Sequence, residues 1–331
     1  MAFKKKIIFR VIGNPEVGLG HVYRALSLAS DIDGYEIFFI ILKDDLLAIS
    51  ILKKNKFKVI TINKEDIENK IISYQPLLVI NDILNTSKKY VKNLKKNNIK
   101  VINFEDLGKG AIYTDFVINE LYDKPMFSGL NIFWGSKYFF VRDEFNEIEP
   151  SKYRKKLKKI LLTFGGTDFL SLSKKIYLTI NEFCNNSDIE IYIVTGPGYS
   201  KFKELEKITS DNKKVFLTHN TGVISSIMKK VDLAITSNGR TCYELAHMNV
   251  PTLVISQHKR ETTHLFTSKN TGFLSIGEYK SNISEKKVLS FLKKIYKAPN
   301  YRKKLYEGLI KYNFNNKKLI LNKILNLLVT K

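Results

Sequence analysis

The chain has 331 residues, 44% of them hydrophobic, and a net charge of +23 from 55 Lys+Arg against 32 Asp+Glu; it is too long for one ordinary core and too apolar for a disordered polymer. Its two cysteines, Cys184 and Cys242, are too few and too far apart for a disulfide framework or a thiolate metal site, which fits a reducing compartment. No zinc-finger spacing, RNP-type aromatic motif or basic zipper accompanies the lysines, so nucleic acid is not an expected partner.

The lysine runs at 4–6, 53–54, 155–156 and 286–287 are spread along the whole chain. They read as a solvated face, or in part as a basic surface for phosphate-bearing ligands or an anionic membrane. The opening MAFKKKIIFRVIGN is interrupted by Arg10, and no later stretch reaches about 18 uninterrupted apolar residues. The expectation is a cytoplasmic protein, with peripheral membrane contact open and no signal of oligomeric state.

Apolar runs rich in Ile, Val and Phe at 7–12, 35–42, 57–62, 77–81, 99–104 and 115–119 read as buried parallel strands. Stretches with helical spacing, such as 21–32 and 86–98, lie between them, so a βαβ sheet covered on both faces is expected. The periodicity breaks in a charged region around Pro150, which places a linker there and divides the chain into domains 1–150 and 151–331. Strand-like runs resume at 158–164, 189–196, 213–218, 231–237, 250–256 and 271–276, and the tail from about 281 is helical.

Open sheets of this kind bind ligands beyond the carboxyl ends of their strands. The first such loop, GNPEVGLGH at 13–21, contains Gly18 and Gly20, misses the dinucleotide register, and leads into a helix whose free N–H groups suit an anion. His21 at its mouth is either a general base, since an unperturbed imidazole titrates near 6.5, or a helix-start histidine bonded to nearby backbone. Arg24, one turn on, either holds a phosphate or orders the imidazole. The second loop, FGGTD at 164–168, allows close passage at Gly165 and Gly166, while Thr167 or Asp168 can cap the next helix. In the third, Ser237, Asn238, Gly239 and Thr241 surround a helix start near Arg240 and suit a pyrophosphate. Glu244 is there either an acceptor for two ribose hydroxyls or a solvent-facing helix acid.

Four segments in order, GLGHVYRALSLA (18–29), FWGSKYFFVRDEF (133–145), LLTFGGTD (161–168) and SNGRTCYELAHMNVPTLVISQ (237–257), resemble the MurG-like GT-B superfamily. Within it the chain is similar to the family of the UDP-sugar hydrolase of pseudaminic acid biosynthesis and the spore-coat polysaccharide proteins. The resemblance implies an α/β, GT-B-like fold with two Rossmann-like domains facing across a cleft, the first receiving sugar or acceptor and the second gripping the nucleotide, with no metal or cofactor. His21 then matches the base that activates water at the anomeric carbon of a nucleotide-linked deoxyamino sugar, with UDP as the nucleotide. Gly165, Gly166, Thr167, Ser237, Asn238, Gly239, Arg240, Thr241 and Glu244 are expected at the nucleotide. Gly18, Gly20, Arg24, Asp82, Gln257 and His258 are expected at the sugar or phosphate.

The chain departs from the family pattern at three places. Asn238-Gly239-Arg240-Thr241 stands for Gly-Gly-Thr-Thr, Asp82-Ile83-Leu84 for an acidic-His-Tyr run, and Gln257-His258 for Asn-Gln, with Glu261 and His264 following. A glycosyltransferase on the same scaffold and a non-catalytic sugar-nucleotide binding subunit are the alternatives.

Overall fold

A computed structural model describes residues 4–269 and 272–329. The chain forms two compact units, Met1–Arg142 together with Asn315–Lys331, and Asp143–Phe314. The first unit runs β1 (Lys6–Val11), α1 (Gly20–Ala29), β2 (Glu36–Leu42), α2 (Leu46–Lys54), β3 (Lys58–Ile62), α3 (Ile67–Ser73), β4 (Leu78–Asp82), α4 (Lys88–Lys96), β5 (Lys100–Phe104), β6 (Phe116–Asn119) and β7 (Ile132–Trp134). The second runs β8 (Lys159–Thr163), α5 (Leu172–Asn186), β9 (Glu190–Thr195), α6 (Phe202–Thr209), β10 (Val215–His219), α7 (Ile224–Met228), β11 (Leu233–Ser237), α8 (Thr241–His247), β12 (Thr252–Ser256), α9 (Phe266–Lys269), β13 (Phe273–Glu278), α10 (Ile283–Lys297) and α11 (Pro299–Glu307). The final helix, α12 (Lys317–Val329), returns to the first unit.

Both sheets are parallel throughout, in the orders β3-β2-β1-β4-β5-β6-β7 and β10-β9-β8-β11-β12-β13. Their central strands are fully buried, β4 and β11 at every position, which is why they read as unbroken apolar runs rather than as alternation. Helices close the faces through residues spaced by three or four. In α5, Leu172, Ile176, Ile180 and Cys184 enter the core of the second unit, and in α1, Val22, Ala25, Leu28 and Ala29 enter that of the first. Strand order reverses between β1 and β4 in one unit and between β8 and β11 in the other. The loops after those strands therefore part from one another and leave a crevice within each unit.

Two boundaries differ from the sequence reading. The first unit ends at Arg142 rather than near Pro150, and the tail does not stay with the second unit. The physical reason is α12: Ile320, Ile324 and Leu328 are buried in the core formed by β1, β2 and α1, Lys317 pairs with Asp31 at 2.8 Å, and Asn316 Nδ2 donates to the Phe139 carbonyl at 2.8 Å. The three-residue β7 was not foreseen, because so short a strand shows no period. Among the described residues no helix is long and apolar enough to cross a membrane.

Candidate active site

In the first unit three strand ends and the start of α1 converge on one arginine. His21 enters from the start of α1, Asp82 is the last residue of β4, Glu105 follows β5 and Glu120 follows β6. Arg24, fully enclosed one turn after His21, donates from Nε to Asp82 Oδ2 at 2.7 Å and from Nη2 to Asp82 Oδ1 at 2.5 Å. Its Nη1 reaches Glu105 at 3.0 Å and Glu120 at 2.7 Å. Burial alone would lower the Arg24 guanidinium; Asp82 and Glu105 overcome it, and its pKa is raised. Burial likewise pushes the Asp82 carboxyl up, but Arg24 and His21 outweigh it and hold it below the ordinary carboxylate range. Asp82 is therefore ionised.

His21 Nδ1 lies 2.5 Å from Asp82 Oδ1. An ionised carboxylate only accepts, so Nδ1 carries a proton and Nε2 is the nitrogen left to exchange one with a nucleophile. The 3.2 Å approach of Arg24 Nη2 to Nδ1 then brings two donors side by side and is not a hydrogen bond. Nε2 faces Glu105 Oε2 at 3.6 Å. The arrangement is a histidine with its tautomer and ring plane fixed by an acid, the form suited to removing a proton from a nucleophile. Glu105 itself is held at a φ of +52°, a left-handed backbone that costs a non-glycine residue on the order of 1 kcal/mol or more.

In the second unit the loops after β8, β11 and β12 come together. Gly165 takes a φ of +81°, and Gly166 passes so close to Gly196 that a Cβ on Gly196 would stand 2.4 Å from the Gly166 Cα. Asp168, not Thr167, caps α5: its carboxylate accepts from the backbone N–H groups of Leu172 at 2.7 Å and Ser173 at 2.8 Å. Burial raises the Asp168 carboxyl despite those donors. Gln257, just past β12, donates from Nε2 to the Phe164 carbonyl at 3.2 Å and so joins the third loop to the first. Its buried Oε1 has no hydrogen-bond partner among the described residues.

The Ser237–Arg240 turn is fixed by Asn238. Its Nδ2 donates to the carbonyls of Glu261 at 2.7 Å and His264 at 3.1 Å, and its Oδ1 accepts from Thr267 at 3.0 Å. Gly239, Arg240 and Thr241 remain half-buried at the start of α8, whereas Ser237 and Asn238 are buried. Glu244 is buried too, so it is not the solvent-facing acid that one reading allowed.

The structure thus brings His21, Arg24 and Asp82 together in one unit, with Gly18 (φ +81°) and Gly20 framing the entry to α1. It gathers Gly165–Thr167, Ser237–Thr241, Glu244 and Gln257 in the other, with His258 exposed at the rim. Arg24 is so enclosed by carboxylates that its geometry fits ordering of the imidazole rather than phosphate contact. Glu105 and Glu120 were not singled out from the sequence as site residues, although both directly follow apolar strand runs, whereas Glu261 was noted with His264 as a residue that could read a different sugar or acceptor. Among the described residues no group of three or more His, Cys, Asp or Glu side chains is placed to hold a metal ion.

No protein-family model matches the chain. An uncharacterized protein of Methanocaldococcus jannaschii, MJ1062, is 31% identical over 273 residues, covering 77% of this chain and 56% of that protein. The chain thus spans little more than half the length of that relative. The spore coat polysaccharide biosynthesis protein SpsG of Bacillus subtilis is 26% identical over 281 residues, covering 80% of this chain and 82% of SpsG. Among solved structures, MurG of Acinetobacter baumannii superposes with a TM-score of 0.65 at 12% identity, covering 97% of this chain and 99% of MurG. The MnaA–UDP co-structure of S. aureus superposes with a TM-score of 0.61 at 16% identity, covering 99% and 98%. With its two parallel-sheet, Rossmann-like units, the chain has the GT-B fold seen in MurG and MnaA.

Proposed function

We propose that the chain is a nucleotide-sugar hydrolase acting on a UDP-linked deoxyamino sugar on the way to a bacterial surface glycan, with His21 as the general base. Nε2 takes a proton from water as the water oxygen bonds to the anomeric carbon. The bond from that carbon to the diphosphate oxygen breaks, its electron pair leaves on the nucleoside diphosphate, and the proton passes from His21 to solvent. The observation that carries this reading is the buried His21–Asp82 pair clamped by Arg24, which fixes the tautomer and orientation of the base and stabilises the imidazolium that forms.

The nucleotide reading rests on the second unit. Gly165, Gly166 and Thr167 line one loop, and Ser237, Asn238, Gly239, Arg240, Thr241 and Glu244 line the next. Backbone N–H groups at the Gly239 turn suit a departing diphosphate, and Glu244 can accept from two ribose hydroxyls. The similarity to SpsG, named for spore coat polysaccharide biosynthesis, and to MnaA, solved with UDP, supports the same direction.

A glycosyltransferase is the second reading, favoured by the fold shared with MurG: an acceptor hydroxyl then takes the place of water at His21. The two are separated by their products. Incubation with a panel of UDP-, GDP- and CMP-sugars, followed by phosphorus and proton NMR, is expected to show free nucleoside diphosphate and free reducing sugar without any acceptor. Release only when an acceptor is supplied supports the transferase. Absence of both activities across the panel overturns the enzymatic reading.

A further inference from the structure

Glu261 is a buried carboxylate inside the second unit that the hydrolytic scheme does not use. Its Oε2 accepts from the backbone N–H groups of Gln257 at 2.7 Å and Asn238 at 3.3 Å, so it bridges the loops after β12 and β11. Its other oxygen, Oε1, points at the Gly239 turn: a Cβ built on Gly239 would stand 3.9 Å from it. A diphosphate seated on that turn therefore meets a second anion within a few ångströms, in surroundings where opposed charges are poorly screened.

The charged and titratable groups around Glu261 come from every neighbouring element. His258 Nε2 is 3.9 Å from Oε1. Cys242 and Glu244 lie on α8, and Glu261 and Glu244 both act on the Cys242 thiol. Arg260 and Glu278 act on His258, and His264 donates from Nδ1 to the Asn238 carbonyl at 2.8 Å. Partial desolvation by its neighbours, with Arg260 beside it, lowers the half-exposed His258, so it is neutral above about pH 6.5. Burial raises the Cys242 thiol well above its usual range. Burial pushes Glu261 up to about 7 against the pull of its two backbone donors.

We propose that seating a nucleotide diphosphate at the Gly239 turn draws one proton onto Glu261, so that nucleotide binding and protonation of this carboxyl are linked. The inference rests on the reading of Ser237–Glu244 as the nucleotide grip. A ligand that favours the protonated form raises the carboxyl's pKa on binding. Affinity is then full below the free-state value and weakens as pH rises through and above it.

The test is calorimetric titration of the full chain with UDP-N-acetylglucosamine, whose diphosphate diester has no titrating group of its own near neutrality, in buffers of different ionisation enthalpy. At about pH 8 close to one proton is expected to be taken up per nucleotide bound, and Kd is expected to rise by up to about tenfold per pH unit above about 7. Glu261→Gln keeps an acceptor for Gln257 and Asn238 but cannot titrate; it is expected to bind with no proton uptake, a flat pH profile, and tighter than wild type at high pH. His258→Asn is expected to keep the proton uptake. Wild-type binding without proton uptake overturns the linkage while leaving the nucleotide reading intact, as does uptake that survives in Glu261→Gln or vanishes in His258→Asn. If neither this nucleotide sugar nor its GDP- and CMP-linked counterparts bind, the nucleotide reading falls and the linkage with it. Should Glu261→Gln fail to fold, the proton count in wild type and His258→Asn decides.

Discussion

His21 and Asp82 are 61 positions apart in sequence, yet their side chains meet at 2.5 Å because β1 and β4 are neighbours in the sheet. His21 was legible from the Gly-x-Gly-His-x-x-Arg spacing before α1. Asp82 was expected at the sugar or phosphate rather than at the imidazole, and Glu105 and Glu120 were not legible, since an acidic residue after an apolar strand reads as an ordinary loop residue until the sheet aligns the strand ends. Replacing Asp82 by Asn swaps an acceptor-only carboxylate for an amide that can also donate to Nδ1, so the tautomer is no longer fixed, and is expected to lower kcat by about 100-fold or more with little change in KM. Arg24→Met removes the shared cation of Asp82, Glu105 and Glu120 and is expected to cost about 3–5 kcal/mol of stability, read by urea unfolding.

The pH dependence of stability has opposite signs at two carboxyls. The folded pKa of Asp82 is depressed, so its contribution is present above the unfolded value and is lost as pH falls through the folded one, on the acid side of about 4. Glu261 is raised to about 7 from 4.5, so its contribution is full below about 4.5 and is lost as pH rises through about 7. The stability of Glu261→Gln relative to wild type is therefore expected to improve by on the order of 3 kcal/mol between about pH 4.5 and 8, and a constant difference would contradict this.

At the scale of elements, the strands were legible because buried parallel strands are written as continuous Ile, Val and Phe runs. Asp168 illustrates the limit of such reading: a Thr-Asp pair before a helix announces a cap without saying which residue provides it. Two backbone bonds assign it to Asp168. Asp168→Ala is expected to cost about 1–2 kcal/mol and to loosen the Gly165–Thr167 loop. Gly196→Ala places a methyl against the Gly166 backbone at 2.4 Å. It is expected to raise KM for the nucleotide sugar more than it lowers kcat, because the displaced segment belongs to the proposed nucleotide-binding loop.

Across the whole molecule, two parallel sheets were foreseen, but the return of the tail was not. The apolar period of α12 identifies a helix without identifying the sheet it covers, and only the burial of Ile320, Ile324 and Leu328 against β1 and β2 assigns it. Each such side chain contributes about 1.5–3 kcal/mol, so a chain ending before Lys317 loses about 5 kcal/mol or more, a large part of a domain's stability. Hydrogen exchange on that truncated chain is expected to show lost protection in β1, β2 and α1 and retained protection in β8 and β11.

The central claim is that a neutral His21, aligned by Asp82, deprotonates the attacking nucleophile. The most direct measurement compares wild type with His21→Asn, which preserves shape without a titratable base, on the nucleotide sugar that wild type turns over, following kcat by phosphorus NMR and nucleotide affinity by calorimetry. The account predicts kcat lower by about 100- to 10,000-fold with affinity nearly unchanged; an unchanged kcat in His21→Asn would contradict it.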